Sequence, residues 1–514
     1  MNIIRLAFLL CAALNYVLQS LYYTHMLQLN SYRPERYRKW CTDNDKKLVQ
    51  VRTMLPALSI PALFLPELYG TLAAAGVLLV TALLNLPKKA KKPLVVTARV
   101  KRLFVTEFVL AAAVLVVCYF LSYLQAIGLV CAFSLLVFVW TGLSNSLNLP
   151  LEKAIANRYV RDAKQRLAER PELTVIGITG SYGKTSTKNF LHALLSVRYN
   201  VLMTPESYNT TMGVVRTVRE RLRPSHQIFI AEMGAKNVGD IREICELVSP
   251  RYGVITSVGE QHLETFKSID NIIATKFELA DSLPADGCLF ACGDNEHIRS
   301  RLAENPPRCP AVLYGLENGE VRVSDLQVSA AGSTFTVTVG EETQTFTTKL
   351  LGAHNIQNLA GCIAVAHHLG IPLCEMVYAV RLLKPVEHRL QLLPNGYIDD
   401  AYNSNPAGFR GALDVLKAFD AQRILVTPGM VELGERQEAL NRELGAYAAD
   451  CCDIAVLVGI KQAPPLREGL LSAGFPEDKI VVVPTLKEGL SVLAQTPARG
   501  ARIVLLENDL PDNF

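Results

Sequence analysis

Residues 173–191, LTVIGITGSYGKTSTKNFL, leave the chain little freedom. Residues 173–178 are an apolar run rich in β-branched side chains, the pattern of a buried strand. Gly180 and Gly183 break it. Lys184, Thr185 and Ser186 then open a segment in which Phe190, Leu191, Leu194 and Leu195 recur at helical spacing. Strand, glycine loop and helix start are the context of a phosphate-binding loop. Glycines let backbone N–H groups turn inward around phosphate oxygens, and the helix N-terminus adds partial positive charge. Gly180, Ser181, Gly183, Lys184, Thr185 and Ser186 are therefore the expected nucleotide-binding residues. Lys184 is expected at the β/γ-phosphates and the Thr185 hydroxyl on Mg²⁺. The spacing is not that of the standard motif, because the first glycine comes one place early, at Gly177 with Ile178 after it.

Half of the residues are hydrophobic, and most of the excess precedes residue 150. Residues 3–23 are apolar and are followed by SYRPERYRKW instead of a small-residue cleavage site, so they read as a retained transmembrane helix. Residues 54–86 are apolar but interrupted by Pro56, Pro61 and Pro66; LPKKAKKP follows, with Arg99, Lys101 and Arg102 beyond it. Residues 103–124 and 126–147 read as two clean spans. Lys/Arg-rich residues 33–52 and 88–102 belong on the cytoplasmic side by the positive-inside rule. Residues 54–86 must then leave and return on one side. They are too short for two spans of about 20 residues each, which predicts a proline-bent re-entrant or shallow hairpin. The expectation is a multi-pass region at residues 1–150 in the cell membrane. Its N-terminus is outside, membrane lipid is a partner, and the catalytic domains are cytoplasmic.

Residues 151–172 read as a charged amphipathic linker helix. Beyond it, QIFIAE at residues 227–232 is a second buried strand ending in Glu232, and residues 252–258 are a third. Strands alternating with helices imply a doubly wound α/β sheet. An acid at a strand end beside a phosphate loop is well placed to hold Mg²⁺, which singles out Glu232. His262 and Glu264 lie just past the next strand, where open α/β sheets bind ligands. Residues 311–350 alternate polar and apolar, the pattern of a small antiparallel β unit. A helix at residues 352–370 opens with His354, Asn355 and Asn358, more polar side chains than capping needs. From Tyr397 a second, Rossmann-like α/β unit is expected, with strands at 397–399, 423–427, 453–458, 479–483 and 502–506. Asp399 and Asp400 close its first strand, where an acid pair serves equally as a turn or helix cap. The domains read as 173–386 and 387–514. A net charge of +4, with no basic stretch carrying interleaved aromatics, gives no sign of nucleic acid binding. The 12 cysteines are scattered and read as reduced thiols.

The order of motifs carries a resemblance. GITGSYGKTSTK, TPESYNTTMGV, AEMGAKNVGDI, ITSVGEQHLETFKSIDNIIATKFEL, GAHNIQNLAG, HRLQ, IDDAYNSNPAG and ELGERQEALNRELG follow one another. From about residue 173 onward the chain resembles the Mur ligases, and within them the MurF branch. That family's phosphate loop also carries its glycine one position early. The resemblance implies that Lys184 and Thr185 meet the γ-phosphate of ATP and Mg²⁺. It implies two Mg²⁺ ions, one on Glu232 and one on His262, and a CO₂-derived carbamate on Lys276 as an extra anionic ligand. Asn355 and Asn358 would touch the nucleotide. Arg389 and Asp400 would hold its ribose and phosphates from the last domain. Asn209 and Thr210 fall in the substrate-binding stretch, with Tyr402, Asn403 and Asn405 near the incoming amine. Lys184, Lys276 and His262 would be the catalytic residues.

The implied activity is an ATP-dependent ligase that activates a carboxylate as an acyl phosphate and joins it to an amine. The acceptor is a cell-wall precursor, and D-alanyl-D-alanine is the family's default amine. The chain departs from the family in two places. Residues 1–172 do not resemble the N-terminal domain with which MurF chains recognise the UDP end of their substrate. The final LLENDLPDNF stands where MurF-like chains carry a Lys-Gly-Ser stretch. Both departures bear on substrate, and leave open a lipid-linked acceptor or one other than a muropeptide. Two alternatives remain: a membrane-anchored synthase of the poly-γ-glutamate type, and a nucleotide-binding membrane scaffold without turnover.

Overall fold

The computed structural model describes residues 2–43, 54–87, 92–206, 208–261, 263–402, 404–431, 433–460, 463–495 and 500–509. His262 and Asn403, both expected at the site, lie outside them. Two compact units divide the chain, one up to Arg158 and one from Tyr159.

Three helices of the first unit, Ile3–Leu29, Glu67–Leu84 and Ala98–Phe120, are long and apolar enough to cross a membrane. A fourth candidate is the pair Tyr123–Leu135 and Val137–Ala168, bent by 70°. The single helix expected at residues 126–147 is therefore broken. Leu136 leaves helical geometry, with φ −102° and ψ 19°, while its N–H still bonds Ala132. The bend lets Phe133 and Val137 both enter an aromatic cluster with Tyr16, Tyr23 and Trp40, which burial rewards. The last helix runs on through Pro150 to Ala168.

Pro56 and Pro61 each open a 3₁₀ turn, Leu55–Ser59 and Pro61–Phe64, as their fixed φ favours. The helix Glu67–Leu84 follows directly. Gly70 is needed there: a Cβ would stand 2.5 Å from the Ala62 carbonyl oxygen of the preceding 3₁₀ turn. Ile4, Arg5, Glu67, Thr71 and Tyr123 line one cavity, and Tyr123 Oη donates to Leu65 O at 3.2 Å. Near the other end of the first helix, Gln28 Nε2 donates to Val95 O at 2.8 Å and His25 Nε2 lies 2.7 Å from Lys92 O. These contacts put the start of Glu67–Leu84 beside the start of the first helix, and residues 92–95 beside its end.

The second unit holds two sheets. The first has nine strands: β1 (Thr174–Thr179), β2 (Val201–Met203), β3 (Ile228–Glu232), β4 (Tyr252–Ile255), β5 (Cys288–Cys292), β6 (Ala311–Gly315), β7 (Val321–Ser329), β8 (Gly332–Val339) and β9 (Glu342–Thr348). Their order is β2-β3-β1-β4-β5-β6-β7-β8-β9. Pairing is parallel from β2 to β7, and antiparallel through β8 and β9. The antiparallel unit expected at 311–350 is thus narrower and not free-standing. β6 pairs parallel with β5, and only β7 to β9 form the meander. β6 is short and joins a buried edge, and periodicity does not distinguish it from a strand of the meander. β2 and β5, which the sequence reading does not single out, complete the parallel sheet; all of β5 is buried.

Helix Ala353–His368 packs against this sheet with Ile356, Leu359, Ile363 and Val365 fully buried. Gly361 lies on it, and a Cβ there would meet the Tyr314 ring at 2.6 Å. The fit brings the start of that helix, with Asn355 and Asn358, to the phosphate loop.

The second sheet has the order β10-β11-β15-β12-β13-β14. Its strands are β10 (Gln391–Leu392), β11 (Tyr397–Asp400), β12 (Gln422–Thr427), β13 (Ile454–Val458), β14 (Ile480–Val483) and β15 (Arg502–Glu507). All pairs are parallel except β10 with β11. The last strand of the chain inserts between β11 and β12, which sets Glu507 opposite Asp400.

Candidate active site

The phosphate loop follows β1. Gly180 has φ 151°, and a Cβ there would lie 2.1 Å from Thr256 Oγ1. Gly183 has φ 79°, in the left-handed region, and a Cβ would lie 2.6 Å from Asn358 Oδ1. Only glycine fits at both. No side chain caps the helix Lys184–Leu195. Its first N–H groups are thus left for an anion.

The loop is fastened to the turn after β4. Ser181 N–H donates to Ser257 O at 2.8 Å and Ser181 Oγ to Gly259 O at 3.0 Å. Tyr182 N–H donates to Ser257 Oγ at 2.9 Å, and its hydroxyl to Glu260 O at 2.8 Å. Ser181, expected at the nucleotide, spends its N–H and its hydroxyl on this fastening. Ser186 is buried in the first helical turn.

Lys184 Nζ curls back onto the loop, donating to Gly180 O at 2.6 Å and Ser181 O at 3.1 Å. Burial pushes its pKa down to about 8; Glu232 pulls it up and Arg389 pushes it further down. A cation held on carbonyls, short of a counter-charge, is poised to move to a phosphate.

Glu232, fully buried at the end of β3, sits opposite Ile178 in the β1 register. Its Oε1 accepts from Thr185 Oγ1 at 3.0 Å and from Asn209 Nδ2 at 3.1 Å. Lys188 Nζ lies 2.9 Å from its Oε2, and both side chains are buried. That contact is an ion pair off the angles of a hydrogen bond, so Oε2 keeps an open lone pair. One hydroxyl and one carboxylate oxygen side by side, with a lone pair free, are hard oxygen donors of the kind Mg²⁺ takes. Thr185 and Glu232 fit the expected ion; His262 lies outside the described residues.

Lys276, on helix Ile269–Asp281, is 2% exposed, with Nζ 5.9 Å from the centre of the Phe266 ring. Burial drives its pKa well below the usual lysine range, Lys184 repels it further, and Asp240 and Glu278 oppose the shift in part. Each of these larger effects disfavours the charged form and favours the neutral, nucleophilic amine.

The remaining expected residues divide. Asn358 packs on Gly183 at the loop. Asn355 instead donates to Leu351 O at 2.9 Å, inside its own helix start. Thr210 caps helix Thr211–Arg221 through Gly213 N–H, and Asn405 caps helix Pro406–Lys417 through Gly408 N–H at 2.8 Å. Capping is the ordinary use of such side chains. Arg389 lies over the Tyr402 ring, 4.2 Å from its centre, and Asp400 Oδ1 accepts Leu390 N–H at 3.1 Å. Arg436 pairs with Glu260 on the turn that fastens the phosphate loop. Lys188 is the functional neighbour the sequence reading missed. Its position one turn after Lys184, in GKTSTK, is the signal that could have found it.

Residues 178–366 match the Mur ligase middle domain, and residues 388–506 match the Mur ligase glutamate ligase domain. The chain belongs to the Mur ligase family. It is an ATP-dependent, ADP-forming ligase. A relative is the UDP-N-acetylmuramoyl-tripeptide–D-alanyl-D-alanine ligase of Bacillus subtilis (strain 168), 30% identical over 338 residues, which are 64% of this chain and 72% of that protein. The ligase of the same name from Escherichia coli (strain K12) is 29% identical over 311 residues, 58% of this chain and 69% of the relative. In structure, MurF from Acinetobacter baumannii matches with a TM-score of 0.63 and 26% identity, over 69% of this chain and 77% of that one. MurF from Thermotoga maritima, in complex with ADP, shares the fold with a TM-score of 0.61 at 24% identity, over 68% of this chain and 80% of that one.

In this Mur ligase the buried Lys188–Glu232 pair anchors the phosphate loop to β3. Removing one partner of a buried ion pair costs about 3–5 kcal/mol, because the other charge is left without a counter-ion. Lys188→Met is therefore expected to lower the thermal midpoint and weaken Mg²⁺-dependent ATP binding at least tenfold, read by calorimetry; unchanged values for both would refute the anchoring role.

Proposed function

We propose that the chain is a MurF-type ligase held at a membrane, which joins an amino acid or dipeptide, D-alanyl-D-alanine by family default, to the carboxylate of a cell-wall precursor. The observation that carries this reading is the meeting of Lys184, Thr185 and Glu232 at one glycine loop, with Lys276 buried within electrostatic reach of Lys184. The acceptor carboxylate attacks the γ-phosphate of ATP; the bond to ADP breaks and an acyl phosphate forms. The amine then attacks the acyl carbon through a tetrahedral intermediate and phosphate leaves. Both partners of the first step are anionic, so the barrier is electrostatic. Lys184 moves from the loop carbonyls to the phosphate. Thr185 and Glu232 would hold one Mg²⁺ and His262 a second, and such ions would supply charge neutralisation at the phosphates. Arg389 and Asp400 orient ATP from the last domain, and Tyr402 borders the amine.

The assay is ATP turnover by the full chain in detergent, with D-alanyl-D-alanine and either UDP-linked or lipid-linked muramoyl-tripeptide. Amine-dependent phosphate release that disappears in Lys184→Ala is expected. No stimulation above that variant by any amine would favour a scaffold without turnover.

Lys276 supports a further part of the reading. A neutral, buried amine is the form that adds CO₂, and the resulting carbamate supplies the anionic oxygen that a cationic lysine cannot give to Mg²⁺. With ¹³C-bicarbonate, a carbamate carbon resonance is expected in the intact protein and absent in Lys276→Arg; its presence in both would overturn the assignment.

Residues 1–150 form the membrane part in this reading, with the N-terminus outside and both basic segments cytoplasmic. The contacts of Gln28 with Val95 and His25 with Lys92 support placing residues 92–95 at the inner end of the first helix. Residues 54–86 then enter by the short 3₁₀ leg and return by Glu67–Leu84, as a re-entrant hairpin. The lipid-linked acceptor follows from a ligase kept at the bilayer. In Val95→Cys, labelling beyond that of the unsubstituted protein is expected only from the cytoplasmic side; labelling from outside would sink this topology.

A further inference from the structure

The helix Val137–Ala168 ends inside the second unit, which begins at Tyr159. Its last turns read as linker in the sequence, yet they are built into the core around the first sheet. Ala163 is fully buried there, and Val160 and Leu167 pack on the same core at helical spacing. The match to the family's middle domain begins at residue 178, so this segment lies outside it.

The polar contacts of residues 159–170 converge on one neighbour, the helix Thr211–Arg221 and the turn after it. Arg219 Nε donates to Asp162 Oδ2 at 2.5 Å, and its guanidinium lies over the Tyr159 ring, 4.2 Å from the centre. Arg166 donates to Asp162 Oδ1 at 3.4 Å and to Arg219 O at 3.2 Å. Arg170 donates to Arg223 O and Pro224 O at 2.8 Å and to His226 O at 2.9 Å. A lone exposed ion pair contributes little, but a network of charges on a packed helix face holds its neighbour in place.

The other end of the held helix is at the site. Thr210 caps it, and a Cβ at Gly213 would lie 3.0 Å from Tyr208 Cα, so the 208–210 turn sits tightly on its start. Arg216 Nη1 donates to Tyr208 Oη at 2.9 Å. Asn209, in that turn, donates to Glu232 Oε1 at 3.1 Å, and its carbonyl accepts Gly234 N–H at 2.7 Å. The 11-residue helix spans about 16 Å between these two attachments. Val214, Val215 and Val218 are buried along one face, so a displacement at one end is carried to the other.

We propose that residues 159–170 are a strut of the active site: Asp162, through Arg219, and Arg170, through the 223–226 turn, hold the helix Thr211–Arg221 so that Asn209 stays on Glu232. Asp162 and Arg170 are positioning residues in this role, acting on the carboxylate through Asn209. The proposal rests on the reading of Glu232 as a Mg²⁺ ligand.

The test is a double-mutant cycle in the full chain in detergent, with Asp162→Asn, Asn209→Ala and the two combined. Mg²⁺-dependent binding of a non-hydrolysable ATP analogue is read by calorimetry. Asp162→Asn is expected to weaken binding about fivefold in the unsubstituted background and less than about twofold in the Asn209→Ala background. Substitutions more than about 10 Å apart ordinarily add, so the missing second loss is the signature of a shared route. Unchanged binding in Asp162→Asn, or an equal loss in both backgrounds, overturns the proposal. Should Asp162→Asn not fold, Arg170→Gln takes its place in the cycle under the same criteria. Analogue binding that shows no Mg²⁺ dependence in the unsubstituted protein counts against the Mg²⁺ reading instead. The strut is then decided by hydrogen exchange at the Gly234 amide, which Asn209 O accepts: Asp162→Asn is expected to speed it about fivefold, and an unchanged rate overturns the strut.

Discussion

The ion pair between Lys188 and Glu232 is the contact on which the catalytic half depends. Both side chains are out of water, and each is tolerable only because of the other. The pair joins the first helix after the phosphate loop to the end of β3, and Thr185 and Asn209 close on the same carboxylate. Through these contacts the loop, two strand ends and the 209–210 turn share one charge balance. The carboxylate that would hold a metal is thereby aimed before any metal arrives, a form of preorganisation.

Around that centre the site carries its cations under strain of burial. The charge of Lys184 disfavours the protonated form of Lys276, and Arg389 adds to the charge near Lys184. An anion as dense as a nucleotide phosphate relieves this repulsion. The acid pair of Asp400 and Glu507 is the counterpart on the last domain's sheet, with Arg389 adjacent to it.

Much of this was legible beforehand. The loop from Gly180 to Ser186 and the acid at Glu232 could be placed because local chemistry demands them: glycines where backbone must turn, a hydroxyl and lysine at a helix start, an acid at a strand end. The strands of the last domain were found within a residue or two, since buried parallel strands are continuous apolar runs. Other residues have a structural use that the sequence reading did not assign, because one pattern serves two uses. Asn405 and Thr210 are helix caps, and Ser181 is a fastener. The break at Leu136 was invisible, because a bend that serves packing leaves no polar or proline mark in an apolar run.

By itself, then, the sequence determined the phosphate loop, the alternation of strands and helices, the apolar first third and the ligase family, all of which depend on residue type and near-neighbour spacing. Tertiary structure alone decided that Lys188 turns onto Glu232, that β6 joins the parallel sheet, and that the last strand brings Glu507 beside Asp400, more than a hundred residues earlier in the chain. Periodicity specifies which face of an element is buried. It does not specify which other element covers that face, and the charges of this site are set by those encounters.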